Sequence, residues 1–228
     1  MKAPTQLFSA WMGPGPMTPA RESALHSITL HCGVPFHFVS HHNLSSWINP
    51  DYPIHSGFKY LSAVHQCDYL RCYLLHVYGG GYTDIKPSTR NWNRFFSLQT
   101  LSSKLGAGYT ELSSQGVAQV GGPLELEMKA NYQRLIGVCS LIMVPSSEFT
   151  ELWFREVNQV LDHHLDALIK YPARHPQDHF GVSFQGGETS QYPLAWTGLG
   201  GDIFHPLAYR FSERFLHLDM APSFQNYR

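Results

Sequence analysis

Charge is scarce in this chain. Of its 228 residues only 14% are Asp, Glu, Lys or Arg, and 16 basic against 17 acidic side chains leave a formal charge of -1. That balance offers no electrostatic footprint for a polyanion, so neither nucleic acid nor an anionic membrane surface is expected as the main partner. Long apolar runs are missing as well. The longest, Leu135 to Val144, is far short of the roughly 20 residues that cross a bilayer. Met1 to Ser9 holds one lysine and no apolar stretch, so no secretory signal is expected there. The four cysteines, Cys32, Cys67, Cys72 and Cys139, show no metal-ligand spacing. Cys67 and Cys72 fall on different faces of one expected helix, which argues against a bridge between them. Free thiols in a reducing compartment follow, and with them a soluble, cytoplasmic location as the expectation. No carboxylate pair with an acid/base division points to a hydrolase. No internal repeat, low-complexity tract or domain boundary is visible.

What the chain does have is apolar material, 43% of its residues, over a length that supports a substantial core. One domain over 1–228 is the expectation. Fourteen histidines are scattered and read as ordinary surface or hydrogen-bonding residues.

The opening reads as strand, helix, strand. Gln6 to Trp11 is β-prone and is stopped by Gly13-Pro14-Gly15-Pro16. Thr18-Pro19 forms an N-cap and first turn for a helix to about Cys32, closed by Gly33. Val34 to Val39 is the second strand, which makes a βαβ unit and the start of a Rossmann-like parallel sheet. Ligands in such sheets sit at the carboxyl ends of the strands, and Trp11-Met12-Gly13 falls there. His41, His42 and Asn43 follow in a polar loop, and Asn49 to Pro53 reads as a turn. Residues 88–96 read as a loop and short helix over the site. Leu105 to Tyr109 and Gly116 to Val120 have the look of short strands, and Leu135 to Val144 of a buried central one. A long amphipathic helix follows, capped by Ser146 or Ser147 and stopped by Pro172. Phe149, Leu152, Trp153, Val157, Val160, Leu161, Leu165 and Leu168 mark its buried side.

The most informative stretch runs from Cys67 to Lys86. Cys67, Leu70, Leu74 and Val77 form one apolar stripe of a helix that starts near Gly57. Asp68 and Arg71, three apart, leave the same face. Gly79-Gly80-Gly81 permits positive φ or a close backbone approach. Tyr82 to Ile85 is a short strand on which Tyr82 and Asp84 share a face, and Pro87 ends it. The bland readings are an i,i+3 ion pair and a turn-capping aspartate.

Together, Asp68, Arg71, Tyr78-Gly79-Gly80, Tyr82 and Asp84 resemble the sugar-nucleotide core of GT-A glycosyltransferases with a DXD motif. The closest group is the mannosyltransferase and capsular-polysaccharide one, related to the glucosylating toxins. The resemblance is strong over 59–87 and faint elsewhere. Thr197-Gly198-Leu199, a turn and strand at Gly200 to Pro206, and His217 to Phe224 are its weaker echoes. It implies a GT-A fold, α/β with a Rossmann-like, mixed but mostly parallel sheet flanked by helices. It implies a nucleotide diphosphate sugar as donor, a carbohydrate or other hydroxyl acceptor, and transfer of a hexose with retention. Trp11 would hold the base, with Gly13 also in the nucleotide-sugar site, Asp68 and Arg71 the sugar, and Tyr82 and Asp84 the sugar–ribose edge. Asp84 and Lys86 would serve the chemistry.

Lys86 departs from the pattern, because the family has there the second Asp, a ligand of Mn²⁺ or Mg²⁺. Three readings stand open. The Lys86 ammonium replaces the cation at the diphosphate. Or a metal is held by Asp84 with tail groups, His217 foremost among Asp202, His205 and Asp219. Or the site is dead, and the protein is a nucleotide-sugar or carbohydrate-binding module.

Overall fold

The computed structural model describes residues 2–225; Met1 and residues 226–228, the ends of the expected 1–228 domain, lie outside them. Among the described residues six strands form one sheet: β1 (Leu7–Trp11), β2 (Phe36–Ser40), β3 (Gly80–Thr83), β4 (Gly106–Thr110), β5 (Ile136–Met143) and β6 (Phe215–His217). Their order is β2-β1-β3-β5-β4-β6. The helices are α1 (Pro19–His31), α2 (Ala63–Val77), α3 (Trp92–Ser102), α4 (Gly122–Ala130), α5 (Glu148–Lys170) and α6 (Gly201–Arg210).

The opening βαβ unit forms as read, with β1 parallel to both β2 and β3. The expectation of a mostly parallel sheet is corrected. β5 runs antiparallel to β3 and to β4, and only the β4–β6 pair on that side is parallel again. A buried strand reads as a continuous apolar run whichever way it points, so the direction of Leu135 to Val144 is not legible in its residues.

Alternation along the strands divides the interior into two layers. Phe8, Leu141 and Met143 face α2, α5 and α6, whereas Leu7, Ile142 and Ala107 face α1 and α3. In α5, Ser147 caps through Thr150 in a capping box, and Phe149, Trp153, Val157, Leu161 and Leu168 are buried. The Gly79-Gly80-Gly81 run is sterically required. Gly79 and Gly80 have φ of +63° and +96°, and a Cβ on Gly81 would meet the Trp92 ring at 2.8 Å.

Four further expectations shift. Residues 56–60 are a short 3₁₀ turn, and α2 begins only at Ala63, behind the Ser62 N-cap. Gly116 to Val120 is not a strand: it finds no ladder partner and begins inside the 3₁₀ turn Ser114–Gly116, with Val117 and Ala118 buried. Residues 201–206 are helical rather than turn and strand, despite Pro206. Ile203, Phe204, Leu207 and Ala208 recur at helical spacing, and Phe204 packs on Phe149 and Trp153. The helix after Pro87, α3, does not cover the site. Trp92, Phe95 and Phe96 bury themselves beside Ile28 and Cys32 in the other layer.

Candidate functional site

β1 and β3 are parallel neighbours, so the segments leaving their carboxyl ends emerge side by side: Trp11 to Pro16 from one, Asp84 to Lys86 from the other. β5, running the opposite way, delivers Val138 and Cys139 to the same edge, where the Asp84 amide donates to the Cys139 carbonyl at 2.8 Å. α2 flanks this edge. The result is a cleft of about 830 Å³, within the range of small-molecule sites.

The carboxylates and cations that line the cleft form a chain. Arg71 Nη1 donates to Asp68 Oδ1 at 2.8 Å, and Nη2 to Asp84 Oδ1 at 2.7 Å. Lys86 Nζ donates to Asp84 Oδ2 at 2.6 Å and to Cys139 Sγ at 3.1 Å. Arg71 is 5% exposed and Lys86 6%. The Arg71 guanidinium lies 5.1 Å from the centre of the buried Tyr82 ring, which supports it from below. Two positive and two negative groups, each side chain no more than 20% exposed, thus neutralise one another.

The electrostatics follow from the contacts. Burial opposes the charge on Asp84, but Lys86 and Arg71 outweigh it and hold the carboxyl below the usual carboxylate range. Burial likewise opposes the Lys86 ammonium, and Asp84 more than restores it, so its pKa is raised. Burial pushes the Cys139 thiol up to about 11 and Cys67 up to about 12. Both cleft thiols are therefore protonated at neutral pH and poor nucleophiles. All four cysteines are free.

Trp11, Gly13, Asp68, Arg71, Tyr82, Asp84 and Lys86 are all brought to this one cleft. Gly13 sits under the Trp11 indole: a Cβ there would meet Trp11 Cε2 and Cζ2 at 2.8 Å. The geometry also refines two roles. Arg71 has both terminal nitrogens committed to carboxylates, so it positions Asp68 and Asp84. Tyr82 is 1% exposed and serves as the floor beneath Arg71.

The tail groups are not brought there. His217 Nδ1 lies 2.9 Å from Thr110 Oγ1, on β6. Asp219 holds Arg90 through both carboxylate oxygens. His205 is buried, its Nδ1 accepting from the Ala118 amide at 2.9 Å. Asp202 Oδ1 is buried without a partner at the start of α6. Among the described residues no group of three or more His, Cys, Asp or Glu side chains is placed to hold a metal ion. Asp84 has both oxygens occupied by cations, and Lys86 stands where a second carboxylate would. The donor set does not fit Mn²⁺ or Mg²⁺.

Among the lining residues that sequence reasoning missed are Arg21, Cys139, Gln177 and Trp196. Arg21, in the first turn of α1, reaches across to the Ile85 carbonyl. Its signal was its place just after β1, at the start of a helix whose N-terminus favours anions. Cys139, Gln177 and Trp196 left no such signal, because only the chain's return path carries them there.

No helix of the described residues is long and apolar enough to cross a membrane. The sequence matches no protein-family model, and neither the curated proteins nor the solved structures contain a match to this chain.

Proposed function

We propose that this chain is a nucleotide-sugar-dependent glycosyltransferase, moving a hexose from a nucleotide diphosphate sugar to a hydroxyl of a carbohydrate or other acceptor. One observation carries the reading: Arg71 bridges Asp68 and Asp84 inside the cleft that also holds the Trp11–Gly13 loop. A carboxylate accepts from sugar hydroxyls, and two carboxylates locked by one guanidinium are pre-organised to select a hydroxyl pattern. Trp11 gives the base a stacking surface. Lys86 and Arg21 both line the cleft and supply positive charge where a diphosphate leaving group develops negative charge. The chemistry is then electrostatic positioning: the sugar–phosphate bond breaks, the acceptor oxygen attacks the same face, and its proton passes to the departing diphosphate. No step runs through a metal.

A second reading, a non-catalytic nucleotide-sugar or carbohydrate-binding module, is favoured by the closed ion chain, in which each charge already has a partner. Release of nucleoside diphosphate from a donor panel, with and without Mn²⁺, separates the two. The transferase releases it from at least one donor without added metal. A thermal shift with no release from any donor leaves the binding module, and a product of inverted configuration by proton NMR refutes retention.

A further inference from the structure

The charge in the cleft is confined to one end. Its charged lining residues are Arg21, Asp68, Arg71, Asp84 and Lys86, and beyond Asp68 the wall becomes neutral. That wall consists of Ala63 and Val64 on the first turn of α2, Pro176 and Gln177 alongside them, and Trp196 with Thr197. Val64 lies one turn of α2, roughly 6 Å, before Asp68, so the neutral wall adjoins the donor end directly.

Trp196 stands 40% exposed on this wall, the other four tryptophans being more buried. Its backbone is nonetheless tethered. Buried His65 places Nε2 3.0 Å from the Ala195 carbonyl and 3.3 Å from that of Trp196, while its Nδ1 lies 2.9 Å from the Tyr192 hydroxyl. With Nε2–H donating to the carbonyls, Nδ1 accepts from Tyr192, so the neutral ring satisfies both contacts; burial lowers the His65 pKa and keeps it neutral. The Val64 amide donates to the Pro176 carbonyl at 3.1 Å, which joins the Gln177 segment to the start of α2. The His179 ring meets the indole edge-on at 5.2 Å between centres. An exposed indole is thus carried on a fixed stretch of backbone, in the same cleft wall as the Gln177 amide, which both donates and accepts.

We propose that Trp196 and Gln177 form an acceptor subsite for a neutral pyranose, its apolar face on the indole and a hydroxyl on the Gln177 amide. The assignment as acceptor rests on the transferase reading; the subsite itself does not. An exposed indole and an amide in one neutral wall fit the mixed apolar and hydroxylated surface of a sugar ring. The absence of a cation among the lining residues at this end selects against an anionic acceptor.

Methyl hexopyranosides of gluco, galacto and manno configuration are titrated by NMR, with a methyl hexuronide as the charged control. The wild type binds at least one neutral glycoside, more tightly than the hexuronide. Trp196→Ala weakens that binding roughly tenfold, the size of one aromatic contact. Trp196→Phe recovers part of it, and Leu101→Ala, on the far side of the sheet, changes nothing. Equal binding by Trp196→Ala, or hexuronide bound as well as the neutral sugars, overturns the proposal, as does no glycoside binding at all. Donor turnover is scored separately: turnover without glycoside binding sinks the subsite alone, and glycoside binding at Trp196 without turnover sinks only the transferase reading.

Discussion

Removing the Lys86 ammonium tests whether the ion chain organises the cleft. Nζ lies 2.6 Å from Asp84 Oδ2, with side-chain exposures of 8% and 20%. At an effective dielectric of about 20, unit charges about 3 Å apart attract by roughly 5–6 kcal/mol, before desolvation is subtracted. Deleting one partner of a buried pair costs about 3–5 kcal/mol, since the survivor stays buried and charged. In Lys86→Met, Asp84 keeps Arg71, which places the expected loss near 3 kcal/mol. In a chain of this length that lowers Tm by roughly 6–12 °C. Asp84→Asn loses a similar amount, because Arg71 and Lys86 then face each other across an uncharged amide. The double variant removes both charges together and recovers about 2 kcal/mol of the summed losses. Urea unfolding of the four proteins gives the cycle. An additive double variant, within roughly 0.5 kcal/mol, refutes the coupling. The same cycle has a pH signature. Because the Asp84 pKa is depressed in the folded state, its contribution is complete above the unfolded value of about 3.9 and is lost as pH falls below it. The gap between wild type and Asp84→Asn is therefore flat above about pH 5 and closes in acid. A gap that widens in acid has the wrong sign.

Trp11→Ala should weaken nucleoside diphosphate binding by roughly 5- to 150-fold in calorimetry, the range of one base–aromatic stack; affinity within twofold of wild type removes the indole from the base site. Gly13→Ala should move in the same direction, because its Cβ would come within 2.8 Å of the Trp11 ring and displace it. His205 is held neutral, its pKa lowered to about 4 by burial. A folded value below the unfolded one of about 6.5 contributes stability in full above pH 6.5 and loses it as pH falls toward 4, about 3 kcal/mol in all. His205→Asn keeps an acceptor for the Ala118 amide and abolishes the titration. Its stability should fall less steeply than the wild type's over that window, by about the His205 share, and a slope equal to the wild type's refutes the assignment.

Local patterns carried much of the structure. Thr18-Pro19, Ser147 and most of the α5 stripe are written in neighbouring residues, where caps and helical spacing decide, and they appear as expected, with Leu152, Val160 and Leu165 only half-buried. The Asp68–Arg71 pair and the glycine run were legible for the same reason: three-residue spacing on a helix fixes a common face, and positive φ selects glycine. The direction of β5 was not local. Whether a buried apolar strand runs with or against its neighbours depends on which end of the sheet the preceding loop reaches, and its residues are silent on that. The helix at Gly201 to Arg210 hid behind Pro206, a local signal overruled by burial of Phe204 against α5. The neutral end of the cleft was invisible for a related reason. Trp196 lies more than a hundred residues from Asp68 in the chain, and the His65 hydrogen bonds that bring it back join segments with no pattern in common. Sequence thus set the chemistry available at the carboxyl ends of β1 and β3, and the long-range packing of residues 176–201 onto α2 set the shape and polarity of the space it faces.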